Sequence, residues 1–158
     1  MGFEFEVWLP EEVALLRNYL ALEQLRYGSR LRLEFQADDV PATACIAPLL
    51  LLLVENAFKH GSAEQVGQAS IRIVLAVHAG RFTCLITNTK NATSAASTGA
   101  VGIGLRNVRK RLELLYPQRH EFVTEAREHT FTVRLALQLP ELAPALGPVP
   151  ASLRSLAP

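Results

Sequence analysis

The sequence predicts an α+β fold in two layers, in which a mixed, mostly antiparallel sheet is covered on one face by three helices. Three segments, 10–27, 47–60 and 103–116, are predicted to be helices, the first and last from apolar residues at helical spacing. The other regular segments alternate apolar and polar residues and are predicted to be strands. Most of these strands follow one another in pairs without an intervening helix, and this favours antiparallel pairing. With 158 residues, 49% of them hydrophobic and 20% charged, the chain has the size and composition of one globular domain.

Composition and charge exclude several classes of protein. Lys and Arg number 16 and Asp and Glu 15, so a formal charge of +1 gives no overall basic field for nucleic acid. The apolar run 44–54 is about half the ~20 residues that a membrane helix needs, and the first residues lack the order of a signal peptide. Cys45 and Cys84 lie in apolar stretches and predict buried, reduced thiols, as in a cytoplasmic protein.

The first helix, 10–27, is predicted from its boundary signals and its apolar stripe. Pro10 suits a first turn, two glutamates follow it near the positive end of the helix dipole, and Gly28 ends the helix. The residues predicted to face the core are Val13, Leu16, Leu20 and Tyr27. A half-buried strand over 31–36 follows, because apolar and polar residues alternate there.

The second helix, 47–60, is apolar on all sides over 49–54 and is therefore predicted to be buried in the core. Two alternating strands, 71–77 and 82–86, then flank Ala79-Gly80, which predicts a hairpin. The loop that follows is rich in small and polar residues and is predicted to be mobile.

The third helix, 103–116, buries a stripe of leucines and a valine, and Pro117 prevents its continuation. The last two strands are predicted over 121–127 and 130–139. Segment 140–158 is rich in proline and alanine without any period, so we expect a disordered tail after a domain that spans 1–139.

Two segments carry residues suited to chemistry. The buried second helix ends in Glu-Asn-Ala-Phe-Lys-His-Gly (55–61), where Asn56 and Glu55 offer oxygen ligands to Mg²⁺ and Lys59 offers a cation to phosphate. Helices commonly end in polar residues, however, so this segment alone also fits an ordinary C-terminus. The second segment, 99–105, contains three glycines and leads into the third helix, whose N-terminus would present N–H groups to an anion.

The order of these segments resembles the ATP-binding domain of the GHKL superfamily, specifically that of LytS-type sensor histidine kinases. The resemblance rests on Val-Glu-Asn-Ala-Phe-Lys-His-Gly (54–61), then Thr-Asn-Thr (87–89), then Gly-Ile-Gly-Leu-Arg-Asn-Val-Arg-Lys-Arg-Leu (102–112). Segments 16–28 and 111–117 resemble that subfamily as well, so the resemblance covers about residues 7–139.

The resemblance implies a Bergerat-type sandwich that binds ATP and Mg²⁺ and donates the γ-phosphate to a histidine. Asn56 matches the asparagine that coordinates Mg²⁺, Glu55 and Lys59 match its catalytic neighbours, with Lys59 on phosphate, and His60 matches a further nucleotide-binding neighbour. Asn88 stands where the superfamily usually has an aspartate that accepts from the adenine amino group. The matching glycine-rich stretch, whose backbone would meet the phosphates, consists of Gly102, Ile103, Gly104, Leu105 and Arg106, and residues 89–101 would form the ATP lid.

Departures from the family pattern bear on activity. Asn88 keeps an acceptor oxygen without the charge, and Ala100 replaces a usual glycine, so nucleotide affinity is in question. Leu52 stands where GHKL ATPases carry a water-activating glutamate, which argues against efficient hydrolysis. A degenerate binding module and a GHKL serine kinase of the anti-sigma type are the alternatives to the histidine kinase.

The residue that would accept the phosphoryl group is not found in this sequence. None of His60, His78, His120 and His129 has the His-Phe-x-Phe-Asn setting of the family's acceptor, and His78, His120 and His129 are each predicted to be surface histidines. The resemblance therefore implies two partners, a histidine-containing dimerisation domain of the same kinase and a downstream response regulator. It also implies a cytoplasmic fragment of a membrane-anchored kinase that does not itself span the membrane and does not phosphorylate itself in isolation.

Overall fold

A computed structural model of the protein describes residues 6–38, 40–59, 67–90 and 102–140. Within these ranges lie three α-helices, seven strands and a 3₁₀ turn at Gly28–Arg30. The helices are α1 (Leu9–Tyr27), α2 (Leu50–Ala57) and α3 (Ile103–Leu115). The strands are β1 (Val7–Trp8), β2 (Leu31–Ala37), β3 (Cys45–Ile46), β4 (Ala69–His78), β5 (Arg81–Thr89), β6 (His120–Ala126) and β7 (Thr130–Gln138).

The main sheet has five strands in the order β2-β4-β5-β7-β6, and β1 pairs with β3 separately. Only β2 and β4 run parallel within the main sheet; its other neighbours are antiparallel. The predicted α+β class with a mixed, mostly antiparallel sheet is therefore confirmed.

The strand register places the alternating apolar residues on one face of the sheet. Ile73 lies opposite Ile86, which in turn lies opposite Val133, and all three are almost fully buried. The three helices contribute their own apolar stripes to the same core, including Leu16 from α1 and Val108 from α3. One covered face and one solvated face explain why the strands alternate in sequence.

The hairpin between β4 and β5 forms where it was predicted. Ala79 has φ 50° and Gly80 has φ 76°, so both central residues of the turn lie in the left-handed region. A two-residue turn of this kind matches the twist of the flanking strands, and glycine adopts its conformation without steric cost.

The predicted start of the second helix at Ala47 is wrong. Cys45 and Ile46 form a short strand against β1, and the N–H of Leu9 donates to the Ala44 carbonyl at 2.8 Å. The helix begins only at Leu50, after Pro48. The run 44–54 is continuously apolar, and a buried strand and a buried helix look alike in such a run.

The other predicted elements agree with the structure to within three residues, the largest difference being the end of β5, predicted at Ile86 and found at Thr89. Cys45 and Cys84 are both buried, as predicted, and burial raises the pKa of these thiols to about 11 and about 12. No helix among the described residues is long and apolar enough to span a membrane. Apart from Thr89, Lys90 and Pro140, the predicted lid and tail lie outside the described residues, so the domain boundary stays a prediction.

One glutamate of the first helical turn points into the core. Glu12 is 6% exposed, and its Oε2 atom has no hydrogen-bond partner in the part of the chain that the structure describes. Burial, together with the neighbouring Glu11 carboxylate, raises the pKa of Glu12. A buried carboxylate of this kind destabilises the fold whenever it is charged.

We expect Glu12→Gln to stabilise the protein at pH 7 by about 1 kcal/mol. Because the folded-state pKa of Glu12 is raised, the native protein loses stability as the pH rises from the ordinary carboxyl range through that raised value. The gain from the substitution should therefore vanish below about pH 4, where the carboxyl group is neutral in both states. Urea unfolding across this pH range measures the effect, with Glu113→Gln, at an exposed position of α3, as control. A pH-independent gain would contradict the interpretation.

Candidate functional site

The sequence predicts functional residues at the end of the second helix and in the stretch that leads into the third. The described parts of these two segments lie where α2 packs against α3. A side-chain carbon placed on Gly104 would lie 3.8 Å from the Asn56 Oδ1 atom, so the amide oxygen of Asn56 faces the first turn of α3. Asn56 is 8% exposed although it is polar. Glycine at 104 keeps the space beside this oxygen open.

The N-terminus of α3 is arranged to receive an anion. Gly102 precedes the helix in an extended conformation, and no side chain caps the helix. The first hydrogen bond of the helix runs from the Arg106 N–H to the Gly102 carbonyl, at 3.1 Å. The N–H groups of residues 103–105 therefore have no acceptor within the helix. Free N–H groups and the positive end of the helix dipole favour phosphate or carboxylate at this point.

The remaining residues of the glycine-rich stretch divide between core and solvent. Leu105 is buried and anchors the first turn, whereas Ile103 is 77% exposed and Arg106 is exposed. Arg106 is therefore the first basic side chain available beside the helix N-terminus.

The polar residues at the end of α2 differ in burial. Glu55 and Lys59 are exposed, whereas Asn56 between them is buried. Positions 56 and 59 are three apart and so share one side of the helix. Lys59 is thus placed to contact an anion near Asn56, while His60 lies outside the described residues.

Asn88 occupies the covered face of the sheet, on the strand over which α2 packs. It is 3% exposed, and its amide nitrogen donates to the Thr89 carbonyl at 3.1 Å. A buried amide beneath α2 is suited to recognising a flat polar group such as a base edge, since an amide can both donate and accept. Its role and those of the other predicted site residues stay predictions.

The donor set fits a hard metal ion shared with a phosphate ligand better than a protein-only metal centre. In the described residues, no group of three or more His, Cys, Asp or Glu side chains is positioned to hold a metal. Asn56 offers one amide oxygen beside an anion site, and Mg²⁺ commonly combines one or two protein oxygens with phosphate oxygens and water.

Sequence reasoning assigned no site role to Tyr116. The Ala47 N–H donates to its hydroxyl at 2.9 Å, and Tyr116 itself is 2% exposed. This bond ties the end of α3 to the segment that leads into α2. In the sequence, Tyr116 before Pro117 indicates only the end of a helix. No neighbouring residue indicates that its hydroxyl bonds to Ala47, 69 residues away.

Three of the four histidines lie within the described residues. His78 is exposed, and so is His129, which lies 3.7 Å from Glu128. His120 is half-buried, and its Nδ1 lies 2.7 Å from the Tyr116 carbonyl oxygen.

Comparison with known proteins gives sensor histidine kinases as relatives. The chain is 28% identical to sensor histidine kinase YesM of Bacillus subtilis over 140 residues, which cover 85% of this chain and 24% of YesM. It is 29% identical to sensor histidine kinase YpdA of Escherichia coli, over 70% of this chain and 21% of YpdA. It is 28% identical to sensor protein LytS of Staphylococcus saprophyticus, over 68% of this chain and 20% of LytS. The chain thus spans about a quarter of the length of the curated relatives it matches, and no protein-family model matches it.

Solved structures agree on the fold. The nucleotide-free catalytic domain of histidine kinase ThkA matches with a TM-score of 0.61 at 16% identity, covering 85% of this chain and 97% of that domain. The histidine kinase domain of Erythrobacter litoralis EL346 matches with a TM-score of 0.58 at 15% identity, over 81% of this chain and 64% of that one. The implied α+β sandwich of histidine kinase catalytic domains is therefore confirmed.

We expect Tyr116→Phe to lower the free energy of unfolding by about 1–3 kcal/mol, because the buried Ala47 N–H loses its acceptor. Urea unfolding monitored by circular dichroism measures this loss. Tyr27→Phe, which removes a hydroxyl at a half-exposed position, serves as control and should change stability much less. Equal effects of the two substitutions would show that the bond to Ala47 contributes nothing.

Proposed function

We propose that this chain, whose homologues are sensor histidine kinases, is the ATP- and Mg²⁺-binding catalytic domain of such a kinase. The observation that carries the proposal is the Asn56 amide oxygen facing Gly104 at the open N-terminus of α3. This arrangement juxtaposes a metal ligand and an anion site, which together suit the phosphates of Mg-ATP.

Each residue of the site has a distinct role in this proposal. The N–H groups at the start of α3 bind phosphate oxygens, and Lys59 and Arg106 add positive charge beside them. Asn56 holds Mg²⁺, which neutralises phosphate charge when bound. Asn88 accepts from the adenine amino group, while Glu55, exposed at the edge of α2, faces the incoming acceptor.

Phosphoryl transfer to a histidine is favoured over hydrolysis by the surroundings of the site. Leu52, one helical turn before Asn56, is half-buried and apolar, so it cannot orient or deprotonate a water molecule. The acceptor then belongs to a histidine-containing dimerisation domain of the same kinase, and a response regulator receives the phosphoryl group from there. Such a catalytic domain works in the cytoplasm.

Asn56→Ala should abolish the Mg²⁺-dependent part of ATP binding while the fold persists, because alanine suits a helix but offers no oxygen ligand. Isothermal titration with ATP, with and without Mg²⁺, measures this. Asn18→Ala, at an exposed position of α1, is the matched control and should bind like the parent. A parent protein that fails to bind at millimolar Mg-ATP would favour the degenerate module, and an Asn56→Ala protein that binds like the parent would refute the assignment of Asn56.

The isolated chain should bind ATP without labelling itself or hydrolysing ATP quickly, because positioning of a nucleophile supplies much of the rate of phosphoryl transfer. Incubation with γ-labelled ATP tests this, alone and with the kinase's histidine-containing dimerisation domain as a separate fragment. Label should appear on the added fragment only. Stable label on His60, His78, His120 or His129 of the isolated chain would contradict the proposal, and so would turnover comparable to that of a dedicated GHKL ATPase.

A further inference from the structure

An aromatic cluster joins the end of α1 to the end of α2. Phe58 packs edge-on against Tyr19, with ring centroids 5.7 Å apart and planes at 83°. It also stacks on Tyr27, with centroids 6.0 Å apart and planes at 29°. Tyr19, Phe58 and Tyr27 are called the aromatic column below.

Two arginines contact the Tyr27 ring of the column, and Phe58 is buried. The guanidinium groups of Arg26 and Arg30 each lie 5.7 Å from the centroid of the Tyr27 ring, an attractive cation–π arrangement. Phe58 is only 3% exposed although it lies at the end of its helix. The column is therefore a fixed contact between two helices, not a loose surface patch.

The geometry of a helix connects this contact to the site. Successive residues are about 100° apart around the axis, so Phe58 projects on nearly the opposite side of α2 from Asn56. Asn56, by contrast, shares its side with Lys59. Any rotation of α2 that moved Phe58 out of the column would swing Asn56 and Lys59 away from the first turn of α3.

The two ends of α2 are held in different ways. Before the helix, the Ala47 N–H bonds to the Tyr116 hydroxyl. At its end, the Phe58 N–H donates to the carbonyls of Val54 and Glu55, and the ring enters the column. The column is thus a contact from α1 that holds the end of α2 carrying Asn56 and Lys59.

Tyr19 also lies close to a residue of the site. Burial and the carboxylates of Glu23 and Glu55 raise the pKa of Tyr19 to about 12, so its hydroxyl stays protonated at neutral pH. Glu55 lies three positions before Phe58 and so shares the side of α2 that meets the column.

We propose that Tyr19 and Tyr27 are positioning residues that, through Phe58, fix the rotation of α2 and so hold Asn56 against the first turn of α3. The expected change in nucleotide binding rests on the proposed function, whereas the expected change in the position of Asn56 does not. The column then governs the metal–phosphate half of the site more than the base half, because Asn88 is held by the pairing of β5 with β4 and not by α2 alone.

Three variants separate positioning from general packing. Tyr27→Leu removes the ring that stacks on Phe58, and Tyr27→Phe keeps it. Phe35→Leu removes a half-buried aromatic ring outside the column. The Phe35 ring lies on β2, with its centroid 5.0 Å from the guanidinium of Arg17. Binding of Mg-ATP and of adenosine is measured by calorimetry for each folded variant. Tyr27→Leu should weaken Mg-ATP binding about tenfold and adenosine binding by less than about twofold, whereas Tyr27→Phe and Phe35→Leu should keep the ratio of the parent.

A second readout needs no nucleotide. In nitrogen–proton NMR spectra of the ligand-free protein, Tyr27→Leu should shift the side-chain amide signal of Asn56 and the backbone signal of Gly104. Phe35→Leu should leave both in place, and Tyr27→Phe should restore them. Unchanged Asn56 and Gly104 signals in Tyr27→Leu, or an equal loss of affinity for both ligands, would overturn the inference. If the parent binds no Mg-ATP, the proposed function fails, and the NMR comparison still decides whether the column positions Asn56.

Discussion

The site depends on one constraint, the rotational setting of a helix that is almost entirely core. α2 carries Leu50, Leu53 and Val54, all at most 1% exposed, and within the next turn it must also present an amide oxygen to α3. An apolar helix gains nearly as much by burying one face as another, so its own hydrophobicity does not select the orientation that turns Asn56 toward α3. Contacts from outside the helix have to make that choice.

Those contacts come from residues far away in the chain. The Tyr116 hydroxyl holds the segment before α2, and the aromatic column holds Phe58 after it. Since the two anchors lie beyond opposite ends of α2, neither occupies the side on which Asn56 approaches Gly104. The anchors can therefore be rigid while the space in front of Asn56 stays open to a ligand.

Much of the fold could be predicted because most of its elements are half-buried. α1, α3 and the β4–β5 hairpin have one solvated side, so their apolar residues recur with a period that identifies them. The run 44–54 is apolar at every position, even at the half-buried Leu51 and Leu52, so its sequence shows no period that separates β3 from the start of α2. The contact between Asn56 and Gly104 has no local signature either; only the order of the two segments, through its resemblance to a known family, pointed to it.

The basic residues of α3 show what sequence alone could not separate. Arg106, Arg109, Lys110 and Arg111 look equivalent in the sequence, and all four are exposed. In the structure the Arg109 guanidinium lies 5.0 Å from the centroid of the Phe122 ring, which turns it toward β6. Arg106 belongs to the first turn, whereas Lys110 and Arg111 lie about a turn or more further along, where the helix dipole no longer favours an anion.

In the proposed function, a chain with a formal net charge of +1 recognises an anion through local geometry and not through a general field. Backbone N–H groups at the start of α3 supply directional donors, and the exposed Lys59 after α2 and Arg106 on α3 supply charge. The N–H groups are fixed by the helix, and Asn56 is fixed by the rotation of α2. The amide oxygen of Asn56 would then distinguish a phosphate that carries a metal ion from a phosphate alone. Its position depends on residues that contact neither the metal ion nor the phosphate.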